Sequence, residues 1–297
     1  MMQVAQDFLD RIRRDEPMSR HTSWHAGGAA EIYFTPRDRA DLRAFLGTVP
    51  EGTPIHFVGL GSNLLVRDGG IRGVVVATQE ALLRLERVDA TTVYSEAGVA
   101  CARIARQCIQ WQMGGAEFFA GIPGTLGGAL AMNAGAFGGE TWNCVVSVET
   151  LDRHGEQHTR VPGEYSVSYR HVSASHPEEW FAAAHLSFTH APGIDDSAVR
   201  ELLARRRQSQ PIGEWSCGSV FKNPPGDHAA RLIEAAGLKG TRVGDASVSL
   251  KHANFIINHG AATAADLEQL VLQVQSRVKA AHGIALQPEV RIVGEAL

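Results

Sequence analysis

The amino-acid sequence predicts an α+β protein with two or three lobes. Apolar alternation typical of strands and apolar spacing typical of helices mix along the whole chain, and no internal repeat is present. A chain of 297 residues is longer than a single hydrophobic core usually supports, so more than one core is expected. Pro192-Gly193 is the strongest break between predicted elements, so it marks the best domain boundary.

The composition indicates a folded globular protein, with 44% hydrophobic and 20% charged residues. A net charge of −4 argues against a nucleic-acid-binding surface. Residues 1–16 lack the apolar core of a signal sequence, and no segment has the length of a membrane span. Four cysteines without CxxC or disulfide-framework spacing indicate reduced thiols. We therefore expect a cytoplasmic protein that binds neither nucleic acid nor membrane.

The elements follow from local patterns taken in chain order. Apolar residues at helical spacing predict a helix over 3–14, followed by Pro17. Further helices are predicted over 38–47, 98–111, 195–208 and 229–236, and from a capping box at Thr263–Asp266 to about His282. Strands are predicted over 32–34, 55–58, 64–66, 73–77, 91–95, 180–188, 254–258 and 290–293, with a hairpin over 145–151 and 157–161.

The stretch 121–139 contains seven glycines and no Lys, Arg or Asp. Its exposed donors are therefore peptide N–H groups, which can form a concave nest for an anion such as a pyrophosphate. A tight buried loop between two subdomains is an equally good interpretation of the glycines alone.

A second glycine loop, Gly59-Leu-Gly-Ser-Asn63, lies between two predicted strands. It lacks the third glycine and the following helix of the dinucleotide fingerprint. Alone it would be interpreted as a hairpin turn. Paired with the stretch 121–139, it indicates a ligand that carries two phosphates.

Several segments in the same order resemble the UDP-N-acetylenolpyruvoylglucosamine reductase (MurB) family. They are residues 59–66, 121–128, 133–136, 169–170, 218–224 and 287–290. The resemblance implies an FAD-binding module of the vanillyl-alcohol-oxidase (PCMH) type over 1–188, with lobes at about 19–72 and 73–188. It also implies an α/β substrate domain over 189–285 and a final strand within 286–297 that returns to the active site.

The resemblance also implies the reaction. NADPH reduces non-covalently bound FAD, and flavin N5 then passes hydride to the enolpyruvyl group of UDP-N-acetylglucosamine enolpyruvate. The product, UDP-N-acetylmuramate, is a peptidoglycan precursor, so the role would lie in cell-wall synthesis, cell shape and division, in a monomeric enzyme.

Three residues match the family's catalytic set. Arg170 would bind the substrate carboxylate, and Ser219 would protonate C2 of the enolate formed after hydride transfer. Glu289 is the third member, either protonated through a raised pKa or orienting Arg170 and a water. Taken singly, Arg170 would be interpreted as a surface ion pair and Ser219 as a turn residue. Cys217 rivals Ser219, since it would face the same side of an extended chain and a thiol is more acidic than a hydroxyl.

The resemblance further implies which residues bind the cofactor and substrate. The cofactor-binding residues would be Gly59, Gly61, Ser62, Asn63, Leu64, Gly121, Pro123, Gly124, Thr125, Gly127, Gly128, Asn133 and Gly135. The substrate-binding residues would be Tyr169, Arg207, Lys222 and Asn223. At least two of Arg205, Arg206 and Arg207 would favour the helix C-terminus instead of substrate. No tyrosine lies between Arg170 and Ser219, which is similar to the lidless branch of the family.

No metal site is expected. His21 and His25 have a spacing that could suit a helical ligand pair, but Gly27-Gly28 follows directly and no third ligand is nearby. Two other functions remain open on the sequence: a flavin oxidase of the same fold acting on an alcohol or sugar, and a non-catalytic protein that binds flavin or a nucleotide sugar.

Overall fold

Helices and strands mix from end to end of the chain, which confirms the predicted α+β class. The computed structural model describes residues 6–174, 176 and 178–297. The α-helices of these residues are α1 (Arg39–Leu46), α2 (Cys101–Gln110), α3 (Leu126–Met132), α4 (Ser197–Ser209), α5 (Ala229–Ala235) and α6 (Ala264–His282). Short 3-10 helices cover Gln6–Arg11, Met18–Arg20, Glu117–Gly121, Thr141–Cys144 and Pro162–Glu164.

Most strands are short. They are β1 (Ile12–Pro17), β2 (Ala29–Phe34), β3 (Ile55–Val58), β4 (Leu64–Val66), β5 (Ile71–Ala77), β6 (Leu85–Arg87), β7 (Thr92–Glu96), β8 (Met113–Gly114), β9 (Gly135–Ala136), β10 (Gly139–Glu140), β11 (Val145–Asp152), β12 (Gln157–Arg160), β13 (Tyr165–Ser168), β14 (His171–Ala174), β15 (Glu179–Ser187), β16 (Thr189–His190), β17 (Arg242–Val243), β18 (Ala246–Val248), β19 (Ile256–Asn258) and β20 (Arg291–Val293).

The chain divides into two compact units, each assembled from three stretches. Unit 1 contains residues up to 13, 33–60 and 73–204. Unit 2 contains residues 14–32, 61–72 and 205–297. Neither unit is a single continuous segment, and the domain boundaries at 188 and 285 stay a prediction.

Unit 1 is organised around a five-stranded antiparallel sheet in the order β12-β11-β15-β7-β6. Buried side chains of this sheet form one core with those of α2 and α3, among them Ile104, Leu126, Val148 and Leu186. The predicted hairpin is present as β11 and β12, with Leu151 opposite Gln157. A second hairpin, β13 and β14, leaves Tyr169 and Arg170 as its two turn residues.

Unit 2 contains α5, α6, the antiparallel sheet β17-β18-β19 and the parallel pair β4 and β20. Its core includes the fully buried Trp24, whose indole N–H donates to the Ile256 carbonyl at 2.8 Å. The predicted capping box at Thr263 is present, with the Asp266 N–H donating to the Thr263 hydroxyl at 3.0 Å. The Asp68 carboxylate accepts from two further N–H groups of the first turn of α6.

The predicted helix over 3–14 is wrong for the residues that the structure describes. Gln6–Arg11 form a 3-10 helix and Ile12–Pro17 form β1, while residues 3–5 lie outside the described residues. Phe8 is buried, but Leu9 is 52% exposed, so the supposed apolar face is not a packed helix face. Strand pairing therefore outweighs a helical spacing that rests on only four apolar residues.

The glycine-rich stretch is also not a plain loop, because α3 lies inside it. Leu126, Ala129 and Leu130 bury one face of this helix, and Asn133 ends it in the left-handed region at φ 48°. Core packing therefore stabilises a helix in spite of two glycines in its first turn. No helix among the described residues is both long and apolar enough to cross a bilayer.

Candidate active site

Arg170 of unit 1 has a strained backbone. It occupies the second turn position between β13 and β14 with φ 54°, in the left-handed region that glycine and asparagine favour. A residue with a Cβ pays about 1 kcal/mol for this conformation. The two-residue turn of this hairpin thus holds Arg170 in a left-handed conformation.

The guanidinium of Arg170 is held by the glycine-rich stretch. Its Nη1 donates to the Asn133 carbonyl at 3.2 Å, and its Nη2 donates to the Gly135 carbonyl at 2.8 Å. The group lies 5.0 Å from the ring centroid of Tyr169, which is 43% exposed. Unit 1 therefore brings together four residues predicted for the site: Asn133, Gly135, Tyr169 and Arg170.

The residues around Thr125 fit a phosphate-bearing cofactor such as FAD. The Thr125 hydroxyl is buried and has no hydrogen-bond partner among the described residues, which is costly unless a ligand supplies one. The loop residue Gly59 lies against it, since a Cβ on Gly59 would be 2.2 Å from Thr125 Oγ1. Within unit 1, Gly59 thus lies against Thr125, whose hydroxyl is unsatisfied among the described residues.

The predicted amide nest is smaller than the sequence indicated. The N–H groups of Leu126 and Gly127 donate to the carbonyls of Val99 and Ala97 at 2.9 and 2.8 Å. They are therefore unavailable to a ligand, and Gly127 allows close packing on Ala97, 3.0 Å from the position of a Cβ. The other predicted cofactor residues of this stretch differ in exposure. Pro123 and Gly128 are exposed, whereas Gly121 is buried.

The segments that contain Ser219 and Glu289 pair with each other in unit 2. Phe221 pairs with Pro288 in an antiparallel bridge, and the Glu289 N–H donates to the Val220 carbonyl at 2.7 Å. Since the two segments run antiparallel, Glu289 is opposite Val220 and Ser219 is opposite Val290. Two segments 70 positions apart (289 − 219) are thus brought together within unit 2.

Two asparagines hold these segments. Asn254 is buried and makes two hydrogen bonds with the backbone of Phe221, accepting its N–H at 3.0 Å and donating to its carbonyl at 2.8 Å. The Asn63 side-chain amide donates to the Glu289 carbonyl at 3.0 Å, and the Asn63 backbone carbonyl accepts the Arg291 N–H at the same distance. Asn63 was predicted for the site, whereas Asn254 was missed because no local pattern marks it.

The environment of Cys217 makes its thiol less acidic than usual. The thiol is buried, and burial raises its pKa well above the usual value. The neighbouring Glu289 carboxylate acts in the same direction, which also places that carboxylate close to this segment. Burial therefore reduces the advantage in acidity that a thiol has over a hydroxyl, and the half-buried Ser219 is the more accessible of the two side chains.

The predicted substrate-binding residues of unit 2 differ in exposure and in the hydrogen bonds that they make within the protein. Lys222 is half-buried, and its N–H donates to the Gln287 carbonyl at 2.9 Å. The Asn223 side chain accepts the Ala229 N–H at 3.1 Å and so caps α5. Arg207 is exposed at the end of α4, where its carbonyl accepts the Lys251 ammonium at 2.5 Å. Asn223 thus stabilises the start of α5, a structural role that the sequence did not indicate.

The two histidines considered as metal ligands have other contacts in unit 2. His21 pairs with Glu16 at 2.9 Å, and His25 stacks on Trp215 with ring centroids 4.3 Å apart. In unit 1, Asp152, Glu156 and His158 are close enough to share an ion, a grouping that sequence analysis did not mark.

Two domain families match the chain, an FAD binding domain over 30–160 and the C-terminal domain of UDP-N-acetylenolpyruvoylglucosamine reductase over 210–293. With the glycine loops and the unsatisfied Thr125 hydroxyl, they define an FAD-dependent oxidoreductase. The chain belongs to the UDP-N-acetylenolpyruvoylglucosamine reductase family.

Relatives of that name support this membership over nearly the whole chain. The reductase of Alkalilimnicola ehrlichii is 60% identical, with 96% of this chain and 95% of the relative covered. That of Methylococcus capsulatus is 57% identical, with 95% and 92% covered. The crystal structure of the reductase from Thermus caldophilus matches with a TM-score of 0.78 at 31% identity, covering 98% of this chain and 99% of that one.

Gly59→Ala is expected to weaken FAD binding by about tenfold or more. The new Cβ would lie 2.2 Å from Thr125 Oγ1 and 3.0 Å from its Cγ2, so Thr125 or the loop must move. Overpacking of this kind costs about 1–3 kcal/mol. Flavin absorbance per mole of purified protein, followed by FAD titration of the stripped protein, measures the effect. Gly163→Ala is the control, since a Cβ there meets nothing within 4 Å. Equal flavin retention in both variants would contradict the assignment.

Proposed function

We propose that this chain uses NADPH to reduce the enolpyruvyl group of UDP-N-acetylglucosamine enolpyruvate, giving UDP-N-acetylmuramate. The main support is 60% identity over 96% of the chain to the UDP-N-acetylenolpyruvoylglucosamine reductase of Alkalilimnicola ehrlichii. The residues proposed for the chemistry, Arg170, Ser219 and Glu289, each have an environment that suits the role.

FAD, when bound, supplies the hydride-transfer chemistry between NADPH and the substrate. The protein's part is to bind the substrate and manage charge and protons. Hydride arriving at C3 of the enolpyruvyl ether leaves negative charge at C2, which delocalises into the carboxylate as an enolate. A fixed cation at that carboxylate therefore stabilises the transition state more than the ground state.

We assign that cation to Arg170. A guanidinium is planar and permanently charged, so it can bind a carboxylate in a bidentate manner. Two carbonyl acceptors, those of Asn133 and Gly135, fix its plane before any substrate arrives. Preorganisation of this kind avoids reorganisation during the reaction.

We assign proton delivery at C2 to Ser219. A serine hydroxyl is a weak acid, so it can donate only to a strongly basic enolate and only from a fixed position. Backbone contacts to Asn254 and to the segment of Glu289 supply that position. We also assign Glu289 to the catalytic set, because its segment pairs with the segment of Ser219.

The remaining assignments complete the proposal. Gly59, Thr125 and the neighbouring glycine-loop residues would hold the FAD pyrophosphate, and Tyr169, Arg207, Lys222 and Asn223 would contact the substrate. We further propose a monomeric cytoplasmic enzyme that binds FAD without a covalent bond and acts in peptidoglycan precursor synthesis, and thereby in cell shape and division.

An anaerobic experiment tests the function. Purified holoprotein is reduced with NADPH, and UDP-N-acetylglucosamine enolpyruvate is then added while the flavin absorbance is followed. Bleaching followed by return of the yellow colour, with UDP-N-acetylmuramate as product, is expected. In a separate aerobic assay, oxygen consumption with an alcohol or sugar in the absence of NADPH would favour a flavin oxidase. Failure of the flavin to bleach under NADPH would favour a non-catalytic binding protein.

A further inference from the structure

We propose that Glu140 is a positioning residue for Arg170 and acts through Asn133. This inference rests on the proposed function. Glu140 follows the glycine-rich stretch and belongs to none of the motifs that resemble the family. Its carboxylate accepts a hydrogen bond from Asn133 Nδ2 at 2.9 Å, and Asn133 is one of the two residues that hold the Arg170 guanidinium.

Asn133 is a fixed element whose polar groups are used in several directions. It is buried, and it ends α3 in the left-handed region at φ 48°. Nδ2 donates to Glu140 and, at 3.3 Å, to the Ser168 carbonyl, while Oδ1 accepts the Trp142 N–H at 3.1 Å. Its own carbonyl accepts Arg170 Nη1 at 3.2 Å. A change in the side-chain contacts therefore reaches the guanidinium through one residue.

Glu140 also contacts the second anchor of Arg170. In the short pair β9 and β10, Glu140 is the strand partner of Gly135, whose carbonyl accepts Arg170 Nη2 at 2.8 Å. A Cβ on Gly135 would lie 3.1 Å from Glu140 Cγ and 3.2 Å from Arg170 Nη1, so the two side chains flank this glycine. Glu140 thus contacts both residues whose carbonyls orient the arginine.

The geometry requires an acceptor of a particular length at position 140. A glutamine places a carbonyl oxygen where Glu140 Oε2 lies, so it can still accept from Asn133. An aspartate keeps the charge but is one methylene shorter. Alanine leaves a buried amide N–H without one of its partners, which favours a rearrangement of Asn133. A displacement of about 1 Å at a group that positions substrate can cost up to about 100-fold in rate.

The test separates the two half-reactions in holoprotein by anaerobic stopped flow. For Glu140→Ala, we expect flavin reduction by NADPH to stay within about twofold of wild type. Flavin reoxidation by the enolpyruvyl sugar nucleotide is expected to slow by about 10- to 100-fold. Glu140→Gln is expected to restore reoxidation, whereas Glu140→Asp is not. Glu80→Ala, an exposed glutamate of the same unit, is the control and is expected to match wild type.

Other outcomes would overturn either the positioning role of Glu140 or the proposed function. If Glu140→Ala matches wild type in both half-reactions, or if aspartate restores the rate and glutamine does not, the positioning role is wrong. Equal slowing of both half-reactions with loss of flavin would identify a purely structural residue, as would failure of Glu140→Gln to fold. If wild-type reduced flavin is not reoxidised by the sugar nucleotide, the proposed function itself fails, which is a different result from an unaffected variant.

Discussion

Ser219→Ala is expected to lower turnover by about 100- to 10,000-fold, the range that a positioned general acid contributes. The alanine removes the only proton that the proposal delivers to C2, while the backbone contacts of the segment 219–222 with Asn254 and Gln287 remain. Flavin content and reduction by NADPH should therefore stay near wild type. Steady-state kinetics combined with single-turnover flavin reoxidation measures the loss.

Cys217→Ser is the matched control for Ser219→Ala. The Cys217 thiol is buried and therefore less accessible to substrate than the half-buried Ser219, so its removal is expected to change turnover by less than about tenfold. The opposite pattern, in which Cys217→Ser loses turnover and Ser219→Ala keeps it, would transfer the proton-donor role to the thiol.

Arg170→Ala is expected to lower kcat/KM by about 100- to 1,000-fold, as loss of one preorganised group at a developing oxyanion does. The loss should fall on the step that consumes the enolpyruvyl substrate, because the guanidinium is proposed to bind the substrate carboxylate. Single-turnover reoxidation at several substrate concentrations measures binding and rate separately.

Arg170→Lys distinguishes geometry from charge. A lysine keeps the positive charge but lacks the planar group that donates to two carbonyls, here those of Asn133 and Gly135. We expect it to recover only part of the lost kcat/KM. Full activity in Arg170→Lys would mean that the two carbonyl contacts do not matter, and full activity in Arg170→Ala would remove Arg170 from the site.

The elements predicted well are those with strong local signals. Asp38 was expected to start a helix, and its carboxylate accepts the Asp41 N–H at 2.8 Å, which is a purely local interaction. The helix from Thr263 to His282 has both a capping box and Gly283 in the left-handed region at its end. Such features lie within a few residues of each other and need no knowledge of the fold.

The misses come from contacts that are distant in sequence. The α3 helix was hidden by its glycines, because the core that buries Leu126 and Leu130 is formed by strands elsewhere in the chain. Asn254 is 33 residues from Phe221, and no composition marks its role. The hydrogen bonds of the Arg170 guanidinium could not be predicted from local patterns either, because its two carbonyl acceptors lie 37 and 35 residues away. The motifs predicted which residues take part but not the hydrogen bonds between them.

The pairing of β4 with β20 has a consequence for biosynthesis. Leu64 is opposite Arg291, 227 residues later (291 − 64), and Leu65 is fully buried in the core of the same unit. At about 5–20 residues per second, a nascent chain needs roughly 10 to 45 s to synthesise the missing partner. During that interval β4 lacks its partner β20, and its exposed apolar edge favours aggregation unless a chaperone protects it.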